Sequence, residues 1–352
     1  MGKSRHRKPS SRRRGWRITL WAAASLVVLG GSTLGFVYYK LTSNLQSVDI
    51  NAALGDRPAN VDNGSMDILV VGSDSRAGSN SKYGKDVGGA RSDTAMLLHL
   101  YAGHKQASVV SIPRDTMVPR PECKTPDGKT SPAVQRAQFN DAYSVGGAIC
   151  TVKTVEAMTG IRMDHYLEVD FVGFQRLIDK LGGVEVTTTK PIKDRWSHLH
   201  LSAGKHKLNG EQALGLVRTR HGVGDGSDLG RIKLQQAFIK ALIEQVKSVG
   251  LFTNPAKLYG LADTATKALV TDSDLASVDK LLSFANGLKD IGSQDIHMVT
   301  LPVGTDLKDK NRVMPLDSAK QLWQALHDDK PIPEATFKNG DGANTQADSV
   351  IR

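Results

Sequence analysis

The sequence predicts a three-layer α/β/α domain with a central mixed β-sheet, preceded by one transmembrane helix. Three observations carry this expectation. The stretch ITLWAAASLVVLGGSTLGFVYY, residues 18–39, has no charged residue in 22 positions, enough to span a hydrocarbon core. Three near-continuous apolar runs follow, DILVVGSD (67–74), TAMLLHLYA (94–102) and ASVVSIPRD (107–115), as expected of strands covered on both faces. Beyond them, strand-like and helix-like segments alternate, which layers helices on a sheet.

The elements take their reasons in chain order. Residues 1–17 hold eight Lys or Arg and no acid, so the net charge of +10 falls to +2 for the remainder. A near-neutral body argues against nucleic acid as a partner, because a binder carries its basic charge on the folded domain. The arm instead reads as a cytoplasmic topology signal in contact with membrane lipid. Trp16 and Trp21 at one end of 18–39, and Tyr38 and Tyr39 at the other, resemble interfacial belts. With no small-x-small site before Tyr38, the segment reads as an uncleaved signal anchor that exports residue 40 onward. Residues 40–65 read as an extracytoplasmic tether, 66–330 as the folded domain, and the polar 331–352 as a disordered tail.

The sequence holds two cysteines, Cys123 and Cys150, both on the exported side, where a lone pair forms a disulfide more readily than a metal site. His198 and His200 fall on a loop. Helices are expected over 141–159, stopped by Gly160, and over 170–183, 209–220, 228–249, 254–268, 274–288 and 316–329. Strands are expected at 163–169, 184–188 and 297–303. No internal repeat is evident.

The three apolar runs place chemistry at one edge. GHKQ (103–106) is short enough for a hairpin. In an antiparallel meander, the ends at 74, 93 and 115 share a rim carrying Asp74 and Arg76, Arg91 and Asp93, and Arg114 and Asp115. Charge also crowds RTRHGVGDGSDLGR (218–231). At 100° per residue, Asp228, Arg231 and Gln235 share a stripe with Ile239, Leu242, Ile243 and Val246. Lys233, Lys240 and Glu244 lie opposite. A stripe charged first and apolar later reads either as a helix cap merging into core or as polar groups aimed at a ligand. Several arginine forks suit pyrophosphate. Paired aspartates without His or Cys suit a hard divalent cation. No GxxxxGK[ST] loop is present.

DILVVGSDSR, RSDTAMLLHL, VVSIPRD, FNDAYSVGGA, LGGVEV and LNGEQALGLVRTRHGVGDGSDLGRIKLQQ, in this order over residues 66–250, resemble the LytR-CpsA-Psr (LCP) family, in the form of its actinobacterial members. The resemblance implies an LCP-like domain and a phosphotransferase. Such an enzyme moves an anionic glycopolymer from a polyprenyl-pyrophosphate carrier to peptidoglycan through a phosphodiester. Carried over by motif, Asp74 and Asp93 would hold magnesium, with manganese the alternative. Arg76, Arg91, Arg114, Arg218, Arg220, Arg231 and Gln235 would bind pyrophosphate. Asp115 and Asp228 would orient arginines or share base work, and the lipid tail would lie in an apolar pocket. Two positions depart from the common pattern: Leu234 stands where many members have Arg, and Gln138 where many have Lys. A non-enzymatic envelope regulator and a polyprenyl-pyrophosphate hydrolase are the competing expectations.

Overall fold

The computed structural model describes residues 21, 31–33, 35–73, 92–220, 228–250, 254–337 and 350–351, with backbone alone at 93, 228 and 337. The chain divides into two units, one ending at Asn44 and one beginning at Leu45. In the first, residues 35–44 are helical. Most of the expected span at 18–39 lies outside the described residues, and among the described ones no helix is long and apolar enough to cross a membrane.

Seven strands build the central sheet of the second unit: β1 (Gln46–Val48), β2 (Met66–Ser73), β3 (Ser92–Leu100), β4 (Ala107–Ile112), β5 (His165–Asp170), β6 (Leu269–Asp272) and β7 (Ile296–Thr300). They lie in the order β1-β6-β5-β2-β3-β4-β7. β2, β3 and β4 form the expected antiparallel meander. β5 and β7 pair parallel to β2 and β4, so the sheet is mixed.

Among the described residues of this unit, eight helices accompany the sheet: α1 (Ile50–Leu54), α2 (Asp141–Thr159), α3 (Phe171–Lys180), α4 (Gly210–Arg218), α5 (Asp228–Ser248), α6 (Pro255–Ala268), α7 (Val278–Leu288) and α8 (Ser318–His327). Alternate strand residues serve opposite faces. Leu69, Val71, Leu97 and Val110 pack with Val152 and Val155 of α2 and Leu322 and Trp323 of α8 in the main core. Ile68 and Leu100 meet Phe284 and Leu288 of α7 on the other face. Farther along that face stand α3, α4, α5 and α6. Their close approach is set partly by Gly173, where a Cβ would lie 2.8 Å from that of Ala268.

Four expectations need correction. The tether over 40–65 is structured from residue 45. β1 pairs parallel to β6, Ile50 and Leu54 enter the main core, and Arg57 forks onto Glu156 and the Met163 carbonyl with both charged side chains nearly solvent-free. A strand of three residues and a helix of five are too short to show a period. The domain also does not end at 330. Ile332 and Thr336 are buried, Glu334–Phe337 forms a 3₁₀ turn, and Ile351 is buried where it bridges Thr188. One apolar anchor barely changes the composition of a polar tail; residues 338–349 lie outside the described residues.

The helix over 141–159 stops at Gly160 (φ 71°) as expected, yet it kinks at Gly146–Gly147. A Cβ on Gly146 would sit 2.6 Å from the Lys124 carbonyl oxygen, so the kink lets the segment carrying the Cys123–Cys150 disulfide approach. Finally, Val184–Thr188 pairs with Gly204–Leu208 in a separate two-stranded sheet. With the hairpin Ile192–Asp194/Leu199–Leu201 and α4 and α5, it forms a second core of its own.

Candidate functional site

Three local terminations aim charge at one place. β4 ends at Ile112, and a turn closed by Thr116 onto the Pro113 carbonyl sets Arg114 and Asp115 just beyond it. α4 begins with an Asn209–Gln212 capping box and ends at Arg218, where Thr219 turns extended and carries the chain to Arg220. α5 starts at Asp228 and brings Arg231 and Gln235 in its first turns. Arg114, Arg218, Arg220, Arg231 and Gln235 line one cavity of about 720 Å³, together with Thr94 of β3.

The cavity is graded in polarity. Its arginines sit where strands end and α5 begins, while its walls farther in are Val70, Met96, Phe174, Leu177, Leu242 and Leu261. From Arg231 to Val246 the α5 wall runs roughly 22 Å at 1.5 Å per residue. The positive end of the α5 dipole opens on the arginine end. A shape of this kind suits an amphiphile with an anionic head, because each arginine offers a planar fork to phosphate oxygens.

The helical phase of α5 is as expected: Arg231 is 4% and Gln235 5% exposed. Its downstream stripe differs from expectation. Ile239, Leu242 and Val246 line the cavity and keep partial exposure, so this face is cavity wall rather than packed core. Gln235 also takes another role than the one carried over for it. Its amide nitrogen donates to Thr94 Oγ1 (3.0 Å) and to the Val217 carbonyl (2.9 Å). Both amide hydrogens therefore tie β3 to the end of α4, and the remaining amide oxygen is an acceptor, as phosphate oxygens are.

Arg218 stacks on Phe171, its Cζ 4.7 Å from the ring centroid, which holds the guanidinium beside the cavity. Asp115 is not a lining residue. It accepts from the Gln138 amide at 2.8 Å, and Arg114 and Arg312 stand 3.6 and 3.7 Å from its carboxylate. The loop bearing Arg312 is fixed by Arg136, which pairs with Asp306 and holds that carboxyl below the usual carboxylate range. Gln138 thus gives Asp115 a neutral donor in the position where a lysine is common. Leu234 is 3% exposed in the second core, where an arginine would be a buried charge.

Asp74, Arg76 and Arg91 lie outside the described residues, and Asp93 and Asp228 are described by backbone alone. The strand register is still informative. Gly72 pairs with Thr94 and Ser73 with Ser92, which leaves Asp93 as the extra residue of a β-bulge. Bulges are frequent beside functional sites, where they re-aim a side chain. Asp74 follows Ser73 directly in the sequence. Among the described residues no group of three or more His, Cys, Asp or Glu could hold a metal.

Sequence reasoning missed several residues. On the face opposite the cavity, Ser73 donates to Tyr143 Oη (3.3 Å), and Tyr143 and Tyr166 both donate to Glu168. Burial first, then the Glu168 charge, pushes the Tyr166 phenol well above its ordinary value. Asp170 lines the cavity while capping α3 through the Gly173 N–H; an Asp at the junction of strand and helix was a readable signal. Asp194 and Trp196 also line the cavity, from a loop whose sequence carries no periodicity.

A mixed sheet with a charged-mouthed apolar cavity defines an α/β protein built around an amphiphile site. The family follows from comparison: the LytR_cpsA_psr family model matches residues 37–328, and the chain belongs to that family. The cell wall biosynthesis protein LcpA of Corynebacterium glutamicum is 31% identical over 93% of this chain and 67% of LcpA. The Bacillus subtilis polyisoprenyl-teichoic acid–peptidoglycan teichoic acid transferase TagT is 32% identical over 83% of this chain and 88% of TagT. A structure of TagT bound to LI-WTA covers 80% of this chain and 98% of that one, at 25% identity and a TM-score of 0.58. The LytR-Csp2A-Psr enzyme from Actinomyces oris shares the fold, with 23% identity, a TM-score of 0.59 and coverage of 80% and 95%.

Proposed function

We propose that this protein transfers an anionic cell-wall glycopolymer from a polyprenyl-pyrophosphate carrier to peptidoglycan, forming a phosphodiester. The observation that carries the reading is the convergence of Arg114, Arg218, Arg220 and Arg231 on one largely apolar cavity. The apolar walls would take the polyprenyl tail and the arginines the pyrophosphate. The relatives' roles in wall biosynthesis and teichoic acid transfer support the same reading. The basic arm and the apolar stretch at 18–39 support a single-pass membrane protein with its catalytic domain outside.

A peptidoglycan hydroxyl attacks the phosphorus that bears the glycan. The new P–O bond forms in line as the bond to polyprenyl phosphate breaks, and the electron pair departs with that leaving group. The arginines lower the barrier by meeting negative charge as it shifts between oxygens. Asp115, ringed by donors, orients Arg114, and Gln235 keeps β3 and α4 in register. The hydroxyl proton would pass to Asp228 at the start of α5, since Asp115 does not line the cavity and is engaged by Gln138 and the two arginines. Asp74 and Asp93 would hold magnesium or manganese, which supplies additional charge stabilisation at the phosphates.

The test is transfer of a defined lipid-pyrophosphate glycan to peptidoglycan by folded Arg220→Ala and Asp93→Ala proteins. Loss of one electrostatic donor lowers turnover by about 100-fold or more. Chelator should reproduce the Asp93→Ala defect and add little to it. Wild-type turnover in both variants overturns the assignment. Release of free polymer in place of conjugate would instead identify a hydrolase.

A further inference from the structure

The hairpin loop between Ile192–Asp194 and Leu199–Leu201 places an aromatic ring at the cavity: Trp196 lines it and is 68% exposed. Scattered exposed apolar residues are ordinary; the backbone that carries this one is fixed by hydrogen bonds. Asp194, itself 2% exposed, accepts the Trp196 N–H (2.8 Å) and the Ser197 N–H (3.4 Å) on one carboxylate oxygen. Its other oxygen accepts the Arg220 N–H at 3.0 Å. Ser197 Oγ and Thr219 Oγ1 add a bond of 2.8 Å between the same two segments. A buried carboxylate spent on three backbone N–H groups fixes loop geometry at a cost that an idle loop would not repay. Trp196 is thereby locked to the backbone that presents Arg218 and Arg220. Arg195 completes the loop, its Cζ 5.4 Å from the indole centroid.

We infer that Trp196 is the stacking platform for the first sugar of the carrier-linked glycan, an inference that rests on the transferase reading above. The order of groups in such a ligand is lipid, pyrophosphate, sugar. With the tail along the apolar walls and the phosphates at the arginines, the next group leaves the mouth beside Arg220, where Trp196 stands. A pyranose presents a face of C–H groups that packs on an indole, while Arg195 offers donors to sugar hydroxyls. A rigid aromatic pays little entropy on binding. Tryptophan also favours membrane interfaces. Seating a loop in a bilayer needs contiguous apolar area, and Trp196 is the one exposed large apolar side chain among the described residues from 184 to 220.

The experiment measures binding of two probes by the full-length chain in detergent: bare polyprenyl pyrophosphate and a polyprenyl-pyrophosphate disaccharide. Wild type should bind the disaccharide form about tenfold more tightly, equivalent to about 1.4 kcal/mol, the upper range for one aromatic contact. Trp196→Ala should remove this preference and change bare-carrier affinity less than about twofold, while Trp196→Tyr keeps most of it. Equal loss for both probes, or a defect only in vesicle association, overturns the sugar platform in favour of a pocket or membrane role. Failure of wild type to bind bare carrier is a separate result, and it overturns the transferase reading itself.

Discussion

On β2, Leu69 and Val71 face α2 and α8 with no solvent access, whereas Val70 and Gly72, one residue away in each case, face a cavity of about 720 Å³. The strands are the same on both sides; what covers them is not. Tyr166, Phe139 and Trp323 fill the space on the solid face. On the hollow face, α4 and α5 commit apolar residues to a second core around Ile178, Leu208 and Phe238, and α5 meets the sheet through the polar side chains of Gln235 and Gln236. That second core is a scaffold which keeps an apolar space open. Charge sits on both sides: the buried pairs Arg57–Glu156 and His99–Asp67 on the solid side, and the arginines that line the cavity on the hollow side.

The largest effect that would break this comparison comes from identical truncations on the two faces. Leu97→Ala, at a site with no exposure, should cost about 3–5 kcal/mol, the transfer term plus the void left in packed surroundings. Leu242→Ala removes the same atoms from a half-buried cavity wall, where empty space already exists, and should cost less than about 1.5 kcal/mol. Urea midpoints of the two variants decide the matter. Equal losses would mean that the cavity wall is as tightly packed as the core.

A smaller effect sharpens it. Ile239→Trp adds volume to the cavity wall beyond the arginines. In a packed core such a change costs about 1–3 kcal/mol through strain; here the free volume should hold the cost below about 1 kcal/mol. Affinity for bare polyprenyl pyrophosphate should nevertheless fall at least about tenfold, because the indole takes the place of the tail. Unfolding curves and carrier binding on the same preparation separate the two outcomes, and undiminished binding would move the tail elsewhere.

Which parts of this arrangement were legible follows from what periodicity can report. The meander was readable because three apolar runs leave few pairings, and the inward phase of Arg231 and Gln235 because 21 residues of helix resolve a 3.6-residue period. The stripe continuing to Ile239, Leu242 and Val246 was read as core. A hydrophobic period says which side of a helix faces inward, not whether another group stands there. β1 and α1 were hidden by their length, and the docked Ile351 by being a single residue. Asp194 owes its place to the Arg220 N–H 26 positions later in the chain, a relation no local pattern encodes, and the Trp196 N–H is bonded in turn to Asp194.

The smallest effect tests the solid face through its one fully buried histidine. His99 has 0% exposure, with Nδ1 2.8 Å from Asp67 Oδ1 and Nε2 3.2 Å from Asp329 Oδ1. Asp329, at φ 54°, also accepts the Ala102 N–H, Asp164 accepts the Asp67 N–H, and Tyr101 lies edge-on to the imidazole. With a carboxyl group at each ring nitrogen, the imidazolium form lets both nitrogens donate. Burial pulls the His99 pKa down, but the two carboxylates outweigh it and the result lies above the ordinary value. Asp67 is likewise raised, by burial first, with His99 partly offsetting it.

A raised folded pKa means that the native state binds more protons than the unfolded chain. The stability His99 contributes is therefore complete below its unfolded pKa of about 6.5 and is lost as pH rises through the folded value. Within that window the slope approaches about 1.4 kcal/mol per pH unit for one proton. Asp67 acts in the same direction from a lower starting pH. Urea midpoints of wild type and His99→Gln, compared upward from pH 6, should differ most at pH 6 and converge as pH rises. Asp329→Asn gives a second comparison that keeps the ring in place. A gap that stays constant with pH in both would mean that His99 is neutral in the fold and holds α8 to the sheet by shape alone.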